Sequence, residues 1–176
     1  MKSTGVVRRI DDLGRIVIPK EVRRSLKIRE GEELEIYLND NIVCLKKFSK
    51  VADVDVVSRK ILDVVSTLID KTIILTDRDR IIAGSGELKK QFLDKEVSKF
   101  LEKNMSNRNV VVEKNVVKVE VVDGVVNENS FVLYPIICYG DVVGNVILLS
   151  TKSDISEFDL NIIRVIAEFL GKYVED

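Results

Sequence analysis

Residues 6–47 alternate short β-branched runs with turn chemistry, and the stretch is long enough for only a very small core. Residues 6–10 (Val-Val-Arg-Arg-Ile) read as a strand, and Asp11-Asp12-Leu13-Gly14 as a turn in which Gly14 is free to take positive φ. Residues 15–18 (Arg-Ile-Val-Ile) read as a second strand. Pro19 stops the pairing and can open a helix over residues 20–27, with Val22 and Leu26 four apart on its inner face. After the Glu30-Gly31 turn, residues 34–38 alternate as a half-buried strand, and residues 42–45 return as its hairpin partner across Asn39-Asp40-Asn41. A ββαββ unit of about 50 residues is marginal alone, so an obligate dimer is expected.

The same stretch carries an uneven charge. The whole chain of 176 residues has a formal net charge of −1. Residues 1–29 hold nine basic side chains (Lys2, Arg8, Arg9, Arg15, Lys20, Arg23, Arg24, Lys27, Arg29) against Asp11, Asp12 and Glu21, a surplus of +6 that leaves −7 for the rest. Such asymmetry fits one end meeting a polyanion. Arginine suits that task, because its planar fork grips a phosphate or reads the two acceptors of guanine. On an extended strand Arg8 and Arg9 point to opposite faces. Arg23 and Arg24, about 100° apart on a helix, can share a solvent face. Charge alone fits a solvated surface better than it fits a DNA-binding one.

From about residue 51 the pattern becomes helical. Val54, Val57, Ile61, Val64 and Leu68 recur at spacings of three and four, with a second apolar face at Leu62, Val65 and Ile69. This predicts a linking helix over 51–70 that packs once within its subunit and once against a partner. Residues 71–176 mix strands (72–76, 80–83, 110–112, 116–122, 131–139, 142–150) with helices (88–93, 97–105 and a final one), the last with Ser153 as candidate N-cap. Along it Ile155, Phe158, Ile162, Val165, Ile166, Phe169 and Tyr173 form an apolar stripe. The expectation is an antiparallel sheet flanked by an N-terminal and a C-terminal helix.

The chain contains no histidine, which removes the commonest general base and zinc ligand, so no metal or catalytic residue is expected. Cys44 and Cys138 lie in apolar runs and read as buried, reduced thiols. The start of the chain lacks a secretory apolar stretch, and no run is long enough to span a bilayer, so a cytoplasmic, nucleoid-associated protein without membrane contact is expected.

The run from Lys2 to Ile28, through Gly31 and Leu34-Glu35-Ile36-Tyr37 to Leu45-Lys46-Lys47, resembles the AbrB family of bacterial transition-state regulators. The resemblance implies that two chains interlace hairpins into one swapped-hairpin β-barrel over residues 1–50, making an α+β protein. It also implies a face for double-stranded DNA carrying Arg8, Arg9, Arg15, Arg23 and Arg24, with Gly5, Gly14 and Pro19 architectural. Lys27 and Glu33 depart from the family pattern, where arginine and proline are expected.

The remainder is similar to a GAF-type domain, on the order of its elements and on Asp77-Arg78-Asp79 after a strand. The whole arrangement looks like that of sporulation regulators joining such a barrel to a GAF-like α/β domain. It implies a transcription activator or repressor, a homotetramer built through the C-terminal helices, no cofactor, and room for an unidentified small ligand. Asp77, Ser85, Tyr134, Tyr139 and Asn145 are the candidate pocket groups. Methionine sulfoxide reduction, known on this fold, needs thiols, and the domain holds Cys138 alone. The same barrel also serves antitoxins, which end in a flexible tail rather than a patterned helix.

Overall fold

A computed structural model describes residues 5–53, 55–86 and 89–175. Lys2, Val54 and Leu88, named above, lie outside them. The chain divides into two compact units, residues 1–48 and 49–176.

In the first unit, α1 (Lys20–Ser25) follows Pro19, which sits at the N-cap with φ −58° rather than inside the helix. Glu21 in the first turn and Arg23 and Arg24 in the last match the helix dipole. The helix ends in a Schellman motif: the Ile28 N–H donates to Arg23 O (2.8 Å) and the Lys27 N–H to Arg24 O (3.2 Å). Lys27 takes the left-handed conformation there, φ 52°, at a cost of about 1–2 kcal/mol for a side chain with a Cβ. Strands β1 (Leu34–Asn39) and β2 (Ile42–Lys47) form a hairpin with Asn39 opposite Ile42.

Two expectations fail in this unit. Segments 6–10 and 15–18 form no strand, and are joined through the 11–15 turn, where the Asp11 N–H donates to Arg15 O (3.1 Å). A ladder needs a partner strand, and the single chain supplies none to them. Nor is any described residue of this unit buried. Leu26, placed above on an inner face, is exposed, as are Val7, Val17 and Leu38. Cys44 is half-buried for the same reason.

The second unit opens with α2 (Lys50–Asp53) and α3 (Asp55–Val65). Strands β3 (Thr72–Thr76) and β4 (Ile81–Ser85), helices α4 (Lys89–Phe92) and α5 (Lys99–Ser106), and strands β5 (Val111–Val122), β6 (Val125–Cys138) and β7 (Asp141–Ser150) follow, closed by α6 (Glu157–Tyr173). The sheet is antiparallel, in the order β4-β3-β7-β6-β5. Strand alternation gives it two faces. Ile73, Leu75, Val132, Ile136, Val146 and Leu148 pack with α3 and α6, while Ile74, Leu133, Ile147 and Leu149 pack with Phe92 of α4 and Leu101 and Met105 of α5. The expected flanking helices thus cover one face together, and the middle helices cover the other.

β5 is one strand where the sequence reads as two runs, because a register shift between Glu113 and Val117 absorbs the polar interruption. β6 begins six residues early, after the Asp123-Gly124 turn, since Asn127, Glu128 and Asn129 mask its periodicity.

The final helix is capped by Ser156, not Ser153. Ser156 Oγ accepts the Asp159 N–H (3.2 Å) and Asp159 Oδ2 accepts the Ser156 N–H (2.7 Å), a reciprocal capping box. Ser153 Oγ instead accepts the Val116 N–H (3.1 Å). Asp159 is 2% exposed and also takes a bond from Lys71 Nζ (3.1 Å). Burial pushes its carboxyl up, but the bonds from Ser156 and Lys71 outweigh burial and hold it below the ordinary value of 3.8. A lowered native pKa contributes stability that is complete at neutral pH and is lost as acid protonates the carboxylate. Asp159→Asn is therefore expected to cost about 1–2 kcal/mol at pH 7. In urea melts across pH, the gap to wild type should close below the carboxylate range; a gap constant with pH would exclude this role.

Candidate nucleic-acid interface

All five singled-out arginines are exposed on the first unit. Arg8 and Arg9 lie in the segment before the turn, Arg15 just beyond it, and Arg23 and Arg24 on α1. Arg8 Nη1 donates to Val7 O (3.1 Å). The turn is organised by Asp11: its Oδ1 accepts the N–H groups of Leu13 (3.0 Å) and Arg15 (2.7 Å), and its Oδ2 takes Arg15 Nε at 2.7 Å. Gly14, at φ 77°, lets its N–H reach Asp11 O (3.0 Å).

The basic surplus separates into two kinds of residue. Arg29 and Lys47 converge on Glu32, whose side chain is 8% exposed, at 3.5 and 3.3 Å from its Oε1. Lys47 Nζ also donates to Lys27 O (3.0 Å), fastening the end of β2 to the turn after α1. These two cations hold the unit together. Lys46 lies over the Tyr37 ring, 5.9 Å from its centroid, a basic group on the hairpin that sequence reasoning passed over.

In the second unit the five candidate pocket groups do not converge. Asp77 caps its own turn, with Oδ1 accepting the N–H groups of Asp79 and Arg80, each at 2.8 Å. Tyr139, at φ 48°, donates its N–H to Glu175 Oε1 (3.1 Å) and its hydroxyl to Glu175 O. Tyr134 and Ser85 belong to the sheet face under α3 and α6, whereas Asn145 shares the opposite face with Ile147 and Leu149. Ser85 Oγ and Asn145 Nδ2 are both buried without a hydrogen-bond partner.

A cleft of about 210 Å³ does lie between α3 and α6, lined by Ile61, Val65, Ile162, Val165, Ile166 and Phe169. It is wholly apolar and lacks the polar groups that orient a small ligand. Of its lining Val165 and Phe169 stay exposed, as do Val64, Leu68, Phe158 and Tyr173, with the Phe169 and Tyr173 rings stacked at 5.8 Å. Most of the stripe read along the last helix thus faces outward, and the sheet side of α6 is a second one: Ile163, Ile166, Ala167 and Leu170. Both cysteines are free, and among the described residues no group of three potential metal ligands occurs.

Stage V sporulation protein T of Bacillus subtilis (strain 168) is 40% identical to this chain over 177 residues, covering 99% of each. The chain belongs to the stage V sporulation protein T family. The family described as "Stage V sporulation protein T C-terminal, transcription factor" matches residues 53–175, and that described as "Antidote-toxin recognition MazE, bacterial antitoxin" matches residues 7–50. Transition state regulatory protein AbrB of the same organism is 58% identical over 48 residues, 27% of this chain and 50% of that protein. The GAF domain/HD domain protein of Geobacter sulfurreducens aligns with a TM-score of 0.54 at 16% identity, covering 74% of this chain and 99% of that one. The protein is thus α+β, with an AbrB-type unit followed by a GAF-type unit. No helix among the described residues is long and apolar enough to cross a membrane.

Proposed function

We propose that the protein is a cytoplasmic, nucleoid-associated transcription regulator of sporulation or transition-state genes. Residues 1–50 read double-stranded DNA as a homodimeric swapped-hairpin barrel, 51–70 link and oligomerise, and 71–176 form a GAF-type unit that builds a homotetramer and senses a small ligand. No catalytic step is assigned. The observation that carries this reading is the placement of Arg8, Arg9, Arg15, Arg23 and Arg24, all exposed on a unit 58% identical to a transition-state regulator. The dimer is supported by the absence of buried residues among the described residues of that unit, which leaves Val7, Val17, Leu26 and Leu38 exposed together on a small unit. The tetramer is supported by the outward apolar stripes of α3 and α6.

Duplex binding by the full chain should fall by about 10³-fold between 50 and 200 mM salt, because several arginines per dimer release condensed counterions. A flat salt response would exclude the electrostatic mechanism. The match of residues 7–50 to an antitoxin family favours a second reading, an antitoxin that binds a toxin. Genome-wide mapping of bound DNA separates the two: a regulator occupies many promoters, an antitoxin at most its own.

A further inference from the structure

Asp11 organises the 11–15 turn, and its bonds divide into two sets. One set makes the turn: the backbone pair with Arg15, the Gly14 N–H on Asp11 O, and Oδ1 accepting from Leu13 and Arg15. The other set is a single charge-assisted bond, from Arg15 Nε to Asp11 Oδ2 at 2.7 Å. An exposed pair of this kind adds little to stability. What it does is geometric. A guanidinium held at Nε by a carboxylate on the same turn loses most of its freedom, while Nη1 and Nη2, the fork that grips phosphate or guanine, are left for another partner. The Arg15 side chain is 71% exposed despite the bond. A long exposed arginine otherwise pays its rotamer entropy at the moment of binding.

We infer that Asp11 is a positioning residue of the DNA face, presetting the Arg15 fork so that a matched duplex gains more than an unmatched one. This rests on the DNA-reading function proposed above. The bonds from the Arg15 backbone and guanidinium and from the Leu13 N–H outweigh burial and keep the Asp11 carboxyl below its ordinary value, so it is charged at neutral pH. A carboxylate beside a DNA-facing arginine repels phosphate, which makes it a cost in nonspecific binding; its benefit lies in discrimination.

The test uses the full-length chain, a duplex selected by wild type from a random library, and a shuffled duplex of the same composition. Asp11→Asn keeps an amide oxygen for the turn N–H groups and removes the charge that holds Arg15. Its expected signature is equal or tighter binding to the shuffled duplex, with the selected-to-shuffled ratio reduced about tenfold. A thermal midpoint like that of wild type shows that the turn has survived. In an Arg15→Ala background Asp11→Asn should leave the ratio unchanged, since nothing remains to position. A purely structural Asp11 would weaken both duplexes alike, and that result overturns the inference, as does an undiminished ratio or one that falls equally without Arg15. Failure of the underlying reading looks different: wild type itself would not distinguish the two duplexes.

Discussion

Replacing Arg23 and Arg24 together by alanine is expected to lower affinity for duplex DNA by at least about 100-fold, since the proposed dimer loses four arginines and each bidentate base contact is worth about 1–3 kcal/mol. The fold should survive. Neither side chain is buried, and the bonds that close α1 on Arg23 and Arg24 are made by their carbonyl oxygens, which alanine keeps. Alanine also favours the helix intrinsically, which offsets the lost interaction of two cations with its C-terminal end. Electrophoretic shift or anisotropy titration, paired with a thermal melt, reads both quantities. Affinity within threefold of wild type would remove α1 from the interface, and an unfolded variant would mean that the arginines hold the unit together.

Gly171→Ala should destabilise the second unit by about 2 kcal/mol, and here two principles predict opposite signs. Within an exposed helix, alanine in place of glycine gains about 1 kcal/mol. Gly171 instead lies where α6 crosses β6, and a Cβ there would stand 2.3 Å from Ile137 O, a backbone atom that cannot rotate away. Overpacking of this kind costs about 1–3 kcal/mol or more, and on a backbone contact we expect it to win. Urea denaturation decides between them: a raised midpoint would mean that α6 does not rest on β6 at this distance. Gly144 has the same constraint against Thr76 O, at 2.0 Å, where β7 passes β3.

Much of this architecture is legible in the amino-acid sequence. Turn residues and β-branched runs located β1, β2, β3 and β7, and the regular apolar spacing located α3 and α6. The errors share a physical cause: periodicity reports that a face is apolar, not what covers it. On α6 the Phe158–Tyr173 stripe is as regular as the sheet-facing one, and only the sheet's position tells them apart. Segments 6–10 and 15–18 have strand composition but no partner within the chain. The cap of α6 could have been found, because Ser156 has an acid three residues on and Ser153 does not. Of the candidate interface, the arginine set came from resemblance, while Asp11 and the bracing of Arg29 and Lys47 by Glu32 needed coordinates, since a charge count treats every cation alike.

A unit in which no described residue is buried has a consequence for how the protein is controlled. In the dimer proposed above, the ordering entropy that contacts inside one chain leave unrepaid is repaid by the second molecule. Folding of that unit would then be a second-order reaction, each tenfold dilution costing it about 1.4 kcal/mol. Synthesis and proteolysis of the chain would thereby set not only how many reading heads a cell contains but the fraction of them that exist as folded objects, giving gene output a threshold in protein copy number before any ligand is involved.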